Sequence, residues 1–421
     1  MEDHVKGPER PITRAPENLD DVLLQIEALY DEEVKPREGA LRHRLADRDR
    51  YLSEDGTLHP EIWEARREIM KASARRGLYA GYLPERIGGQ GWTRNDMVYI
   101  EEKVYGYGVG LNPALLSWSE GATPRLIWAS DDDREEFIDP LVRGEMTSCH
   151  AVTEPGAGSN MFDFKTNAVK RGPDWVLNGH KAFITNWKHA DIIQVFAVTD
   201  PGRGRHSFSY FQFRGADYEG KGFTRGDLYQ TMFDDGFTGE LIFEDLALPG
   251  SAILGERGQG FDIAMSSINW TRMRRGGMCA GWGGYLIDKA LARARERIIG
   301  GRPLGANQGI QWMIADMYAD WHQARSVSLA VTSVMDNPGP WWKMPRPKGE
   351  IRDVCTMKLV NDEAFYRVAD RAVQIHGGGG VMKNSDINKL FQIARNLRIP
   401  GGSAEVQRTT IAETLGLRFR G

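Results

Sequence analysis

Cysteine is scarce in this chain of 421 residues. Cys149, Cys279 and Cys355 lie far apart, with no Cys-x-x-Cys pair and no cluster with histidine. That excludes a disulfide framework and a structural zinc site, and no metal is expected. Long apolar runs are also missing. Stretches such as Ile192–Val198 are far too short to cross a bilayer, and the mean hydropathy is −0.46. There is no basic excess: 54 Lys and Arg face 58 Asp and Glu, a formal net charge of −4. That argues against a dedicated nucleic-acid binder. The N-terminus carries acids early and no apolar core, so it reads as neither a signal nor a transit peptide. These absences point to a soluble protein of a reducing compartment, the cytoplasm, away from membranes.

What is present is globular in balance, 41% hydrophobic and 27% charged. At roughly 150 residues per domain the length suggests two or three domains. Residues 1–18 read as a polar tail. From 19 to 145 the pattern is helical: Val22, Leu23, Ile26, Leu29 and Tyr30 recur at spacings of three and four. Ile62–Arg76 repeats it. A further helix is expected with Asn95 as its N-cap, another after Pro113, and a fourth from Asp131, with acids in its first turn. Between 146 and 255 strands replace helices. Trp175–Leu177 and Ala182–Thr185 read as two strands joined by an Asn178-Gly179 turn. Ile192–Val198, Phe208–Phe213 and Leu241–Phe243 read as further strands. From 256 to 421 helical periodicity returns. Leu286, Ala290, Leu291, Ala294 and Ile298 share one face, and Ile310, Met313, Ile314 and Met317 another. Val354–Ile375 is a long helix stopped by Gly377–Gly380. Residues 336–348 read as a loop rich in Pro and Trp.

The stretch His150-Ala151-Val152-Thr153-Glu154-Pro155-Gly156-Ala157-Gly158-Ser159-Asn160 carries the most chemistry. Its small residues let backbone N–H groups approach a flat or anionic ligand closely. No Gly-Lys-Ser/Thr follows, so it is not a P-loop, and strands rather than a helix follow it, so it is not a dinucleotide fingerprint. By composition alone it is a surface loop.

Val152–Asn160 nevertheless resembles the signature of the acyl-CoA dehydrogenase flavoproteins. Six more segments are similar to the family's motifs, in the family's order. They are Pro84–Gly91, Phe183–Asn186, Leu254–Phe261, Arg297 with Gly301-Arg302-Pro303 and Gln308, Gln374–Gly380, and Gly402–Arg408. The resemblance implies an α+β multidomain fold. Its parts would be a helical N-terminal domain, a central β-barrel or sandwich, and a C-terminal four-helix bundle. It also implies bound FAD. His150, Val152, Thr153, Gly158 and Ser159 would run along the flavin, Phe183 would stack near the ring, and Ile184 and Thr185 would flank it. Arg297, Gln308, Gln374, Gly377 and Gly378 would serve the dinucleotide end, in part across a subunit interface, so a dimer or tetramer is expected, and Gly402 and Ser403 would also bind the cofactor. Ser159, Asn269, Thr271 and Arg272 would meet an acyl thioester on CoA or a carrier protein. The electron acceptor would be an electron-transfer flavoprotein or oxygen. Three positions depart from the pattern: Gly300 and Asn307 replace aromatic residues, and His376 replaces Phe.

The catalytic base departs further. Family members place a Glu where this chain has Gly401, and a variant places it where this chain has Thr271. Neither residue is a carboxylate, and general-base catalysis needs one within hydrogen-bond reach. Glu120, in a segment that lines the family's acyl pocket, is the candidate for a relocated base. The alternatives are flavin chemistry without α-proton abstraction, as in the superfamily's monooxygenases, oxidases and desulfinases, or a subunit that is non-catalytic or whose partner supplies the base.

Overall fold

The computed structural model describes residues 19–118, 120–232, 236–335 and 346–417. The predicted polar tail and most of the predicted 336–348 loop lie outside them. Helix α1 (Asp20–Leu29) buries Ile26 and Leu29, the apolar face read from the spacing. Helix α2 (Pro60–Arg75) follows, then α3 (Arg94–Tyr105). Helix α3 is capped by Thr93 and not by Asn95. The Thr93 hydroxyl accepts the Asp96 N–H at 3.1 Å, and the Asp96 carboxylate accepts the Thr93 N–H at 2.9 Å. The expected helix after Pro113 is only a 3-10 turn, Asn112–Leu115. The acid-rich run begins as a 3-10 turn at Asp131–Asp133 and passes through a π turn, Arg134–Ile138. It becomes α-helical only at Asp139–Val142. Ser130 and Asp133 form a capping box there, so the acids do start a helical run, which continues irregularly.

Eight strands form one sheet: β1 (Ser148–Ala151), β2 (Asn167–Arg171), β3 (Asp174–Thr185), β4 (Ile192–Val198), β5 (Phe208–Arg214), β6 (Phe223–Leu228), β7 (Thr238–Leu248) and β8 (Ile253–Leu254). The order is β6-β7-β3-β2-β4-β5-β8, and β1 pairs in parallel with β4, setting His150 beside Gln194. The predicted hairpin at Asn178-Gly179 is instead one continuous strand, β3. Its register against β7 shifts between Leu177 and Gly179, which marks a bulge. Gly179 has φ +155°, and a Cβ there would run into the Thr166 side chain. Asn178 and Asp245 bond to each other across the bulge. The Asn-Gly pair therefore serves a close approach inside a strand and not a turn.

The C-terminal part holds α4 (Gly260–Glu296), α5 (Gln308–Met335), α6 (Lys348–His376), α7 (Asp386–Leu397) and α8 (Ala404–Thr414). Leu286, Trp321 and Phe365 anchor the core between the first three. Ile298 falls beyond α4, in a short ribbon of β9 (Ile298–Ile299) and β10 (Arg302–Pro303). Helix α3 lies hard against α4: a Cβ at Gly277 would sit 2.6 Å from Glu101 Cβ, and one at Gly281 2.7 Å from the Glu102 carbonyl. Small residues on α4 thus let α3 and α5 pack close against it.

Candidate functional site

The glycine-rich segment leaves β1 and is held by a buried ion pair. Lys181 of β3 is wholly buried. Its ammonium donates to the Val152 carbonyl at 2.8 Å and to Glu154 at 2.9 Å. Glu154 also accepts the Lys165 and Thr166 N–H groups at 2.8 and 2.9 Å. Burial opposes its ionisation, but Lys181 and these donors outweigh that and hold its carboxyl below the ordinary range. Burial lowers Lys181 to about 8 against the pull of Glu154. This pair was not singled out in the sequence, although an isolated Lys in an apolar strand is a usable signal. With Val152 and Glu154 tied down, Pro155, Gly156, Gly158 and Ser159 stay exposed, while Val152 and Thr153 are half-buried.

A second irregularity in β3, between Lys181 and Ile184, re-aims Phe183. Phe183 has φ +57° and is 61% exposed, with its ring 4.7 Å from that of Tyr229. A non-glycine residue held at positive φ with an aromatic ring in the open is strain of the kind found at ligand sites. Ile184 points into the sheet core, so only its main chain can face a ligand. Thr185 is half-buried at the end of β3.

The segments flagged around the missing base converge. Arg272 on α4, 7% exposed, donates to the Gly401 carbonyl at 2.7 Å and to Asn269 Oδ1 at 3.1 Å. Gln407 donates to the Gly401 and Gly402 carbonyls at 3.2 and 2.9 Å, and Lys358 to the Gly402 carbonyl at 2.8 Å. A Cβ on Gly401 would lie 3.9 Å from Thr271 Cγ2. The two customary base positions thus face one point, and neither supplies a carboxylate. Ser403 is spent as the N-cap of α8, accepting the Val406 N–H at 3.3 Å. A cleft beside Asn269 is lined by Arg94, Met273, Arg346, Glu350 and Val354. Glu350, paired there with Arg346, is another carboxylate that the sequence reading passed over.

Glu120 is half-buried, and its charge acts on the buried Tyr79 and Tyr105. Two residues before it, the Trp118 ring lies 6.2 Å from that of Trp270, the neighbour of Thr271. Arg297, Gln308, Gln374, Gly377 and Gly378 are exposed. Among the described residues no group of His, Cys, Asp and Glu could hold a metal, and no helix is long and apolar enough to cross a membrane.

Two family descriptions match: "Acyl-CoA dehydrogenase, middle domain" over residues 149–246 and "Acyl-CoA dehydrogenase, C-terminal domain" over 258–416. The chain belongs to the acyl-CoA dehydrogenase family. It is an oxidoreductase of that flavoprotein family. It is 30% identical over 350 residues to an acyl-CoA dehydrogenase of Bacillus subtilis, covering 83% of this chain and 89% of the relative. It is 29% identical over 358 residues to subunit CarC of the caffeyl-CoA reductase-Etf complex of Acetobacterium woodii, covering 84% and 91%. The butyryl-CoA dehydrogenase structure from Megasphaera elsdenii superposes with a TM-score of 0.78 at 26% identity, over 97% of this chain and 100% of that one. The acyl-CoA dehydrogenase fold therefore runs through all three parts, helical, sheet and helical.

Proposed function

We propose that the chain is an FAD-dependent α,β-dehydrogenase of an acyl thioester, on CoA or a carrier protein, with Glu120 as a relocated base. The observation that carries the reading is the strained, exposed Phe183 next to the 152–159 loop that Lys181 and Glu154 pin open. The donor set fits FAD. Gly156 and Gly158 leave the loop accessible, and the Thr185 hydroxyl closes β3. Bound FAD supplies an acceptor for the substrate's β-hydrogen. Phe183 offers an aromatic face, Val152–Ser159 and Thr185 offer donors, and Ser159, Asn269 and Arg272 orient the thioester. Glu120 takes the α-proton at its carboxylate.

Electrons would pass to an electron-transfer flavoprotein, as the name of the CarC relative suggests, or to oxygen. A homo-oligomer, a dimer or a dimer of dimers, fits the exposed Trp312, Ile298, Ile299, Val381 and Met382 beside Arg297, Gln308 and Gly377. Three buried free cysteines suit a cytoplasmic setting. A second reading draws on the convergence of Gly401 and Thr271 without a carboxylate. It is flavin chemistry that needs no α-proton abstraction, of monooxygenase, oxidase or desulfinase type, or a base lent by a partner subunit. Anaerobic mixing of the holoprotein with a panel of acyl-CoA thioesters separates the readings. Rapid bleaching of the flavin by one of them supports dehydrogenation. FAD bound with no bleaching and no exchange of the α-hydrogen with deuterated water supports the second.

A further inference from the structure

Several buried cations in this fold have carboxylate partners, and Arg272 has neutral ones. Lys181 has Glu154, Arg274 has Glu101, Arg275 and Lys358 share Asp362, and Arg325 has Glu102. Arg125 differs from these pairs. It is 1% exposed, and among the described residues no carboxylate lies within ion-pair reach of it. Its Nε donates to the amide oxygen of Gln194 and its Nη1 to the Ser267 hydroxyl at 2.9 Å, both neutral, and its Nη2 is buried with no partner. The carboxylate it reaches through neighbours is two amides away. Gln194 donates to Gln212 at 3.4 Å, and Gln212 to Asp133 at 2.9 Å. Two more buried polar atoms near it lack partners, His150 Nε2 and the Tyr210 hydroxyl, whose rings lie 5.8 Å apart. The Arg125 charge acts on both Tyr210 and His150. Burial and the Arg125 charge keep His150 neutral and able to donate. A buried guanidinium without an anion is a costly arrangement, and so are unmade hydrogen bonds at two neighbours.

The place of this group in the fold decides what it faces. Ser267 lies on α4, two residues before Asn269. Gln194 pairs with His150, which opens the glycine-rich segment. Arg125 thus bridges α4 and the strand that leads into the glycine-rich segment.

We propose that Arg125, with Tyr210 and His150, receives a carboxylate at the end of the substrate's acyl chain, so that the preferred thioester is the monothioester of a dicarboxylic acid. The proposal rests on the acyl-thioester reading above. A chain ending in a carboxylate would give the guanidinium its counter-charge through Nη2 and accept from Tyr210 and His150. A chain ending in methyl would leave Arg125 Nη2, the Tyr210 hydroxyl and His150 Nε2 without partners, and a site built for a hydrogen-bonding group rejects the analogue that lacks it.

The test uses full-length holoprotein and matched pairs: succinyl-CoA with butyryl-CoA, glutaryl-CoA with pentanoyl-CoA, and adipoyl-CoA with hexanoyl-CoA. Binding is read anaerobically from the shift of the flavin absorbance. In at least one pair the acid-ended thioester is expected to bind tenfold or more tightly than its partner. Arg125→Met should abolish the preference. Tyr210→Phe, which removes one hydroxyl from an otherwise apolar surrounding, should reduce it severalfold, and it keeps the test open if Arg125→Met does not fold. Methyl-ended thioesters binding as well or better in every pair would overturn the proposal and leave the thioester reading standing. No perturbation by any thioester would overturn both. A preference unchanged in Arg125→Met, with the reduction of the ligand-free flavin altered instead, would overturn the proposal and assign the cation to the cofactor.

Discussion

Gly401 shows how a single position can both remove a function and preserve a loop. Its φ is +72°, and Gly402 follows at +88°, a region that side chains with a Cβ enter at a cost of roughly 1–2 kcal/mol. Arg272, Gln407 and Lys358 hold the loop by its carbonyls, so the backbone there is fixed without any side chain of its own. Gly401→Ala should therefore lower stability by about 1 kcal/mol yet leave thioester-driven flavin reduction within a fewfold of wild type. Denaturant unfolding and stopped-flow bleaching read the two effects separately. Lys181 is the opposite case, a side chain whose charge is needed where it lies. Lys181→Met strands the Glu154 carboxylate in the interior and should cost about 3 kcal/mol, with flavin lost more easily as the 152–159 loop slackens. Because the folded Glu154 sits below its usual 4.5, its share of stability is present above that pH. It is lost as the pH falls through the depressed folded value. Acid titration of the unfolding free energy should show that loss in wild type and not in a Glu154→Gln, Lys181→Met double variant.

At the scale of the element, strand β3 does most to shape the candidate site. Two register shifts in one strand bring Gly179 under Thr166 and turn Phe183 outward, which no alternation of apolar residues announces. Phe183→Ala keeps the strand, because the ring packs only against Tyr229 at the surface. It should raise the dissociation constant for FAD by about tenfold, if stacking contributes on the order of 1 kcal/mol or a little more. Equilibrium dialysis of the apoprotein against FAD checks it. The same strand shows where reading the sequence stops. Ile192–Val198 was legible to its last residue because a short, mostly apolar run rich in Ile and Val reads as a buried strand. Asn178-Gly179 was not, since a turn and a bulge draw on the same permissive backbone and only the pairing of β3 with β7 chooses between them. Asn95 was read as a cap where Thr93 caps, because the choice depends on which side chain the Asp96 carboxylate reaches. The glycine-rich segment and the Phe183 motif were legible as patterns. The buried partners, Lys181 for Glu154 and Arg272 for Gly401, join residues 27 and 129 positions apart and come together only in the fold.

Across the whole molecule, helix α4 is the shared wall. Its glycines admit α3, its Ser267 meets Arg125 beneath the sheet, and its Arg272 clasps the loop before α8. The surface that carries Arg297, Gln308 and Gly377 is on the outside of this arrangement, with Trp312 62% exposed one turn beyond Gln308. A homo-oligomer should bury it. Light scattering of wild type should give a dimer or tetramer, and Trp312→Glu should shift it towards monomer with weaker FAD retention. A wild-type monomer with full FAD occupancy would refute the assembly. The central claim is that a dehydrogenase of this family works with its base moved to Glu120. It is tested most directly by the anaerobic rate of flavin reduction in Glu120→Gln, with whichever thioester bleaches the wild type. A fall of roughly a hundredfold or more, in the range of general-base removal, with thioester binding retained, is expected. A variant reduced as fast as wild type would contradict it.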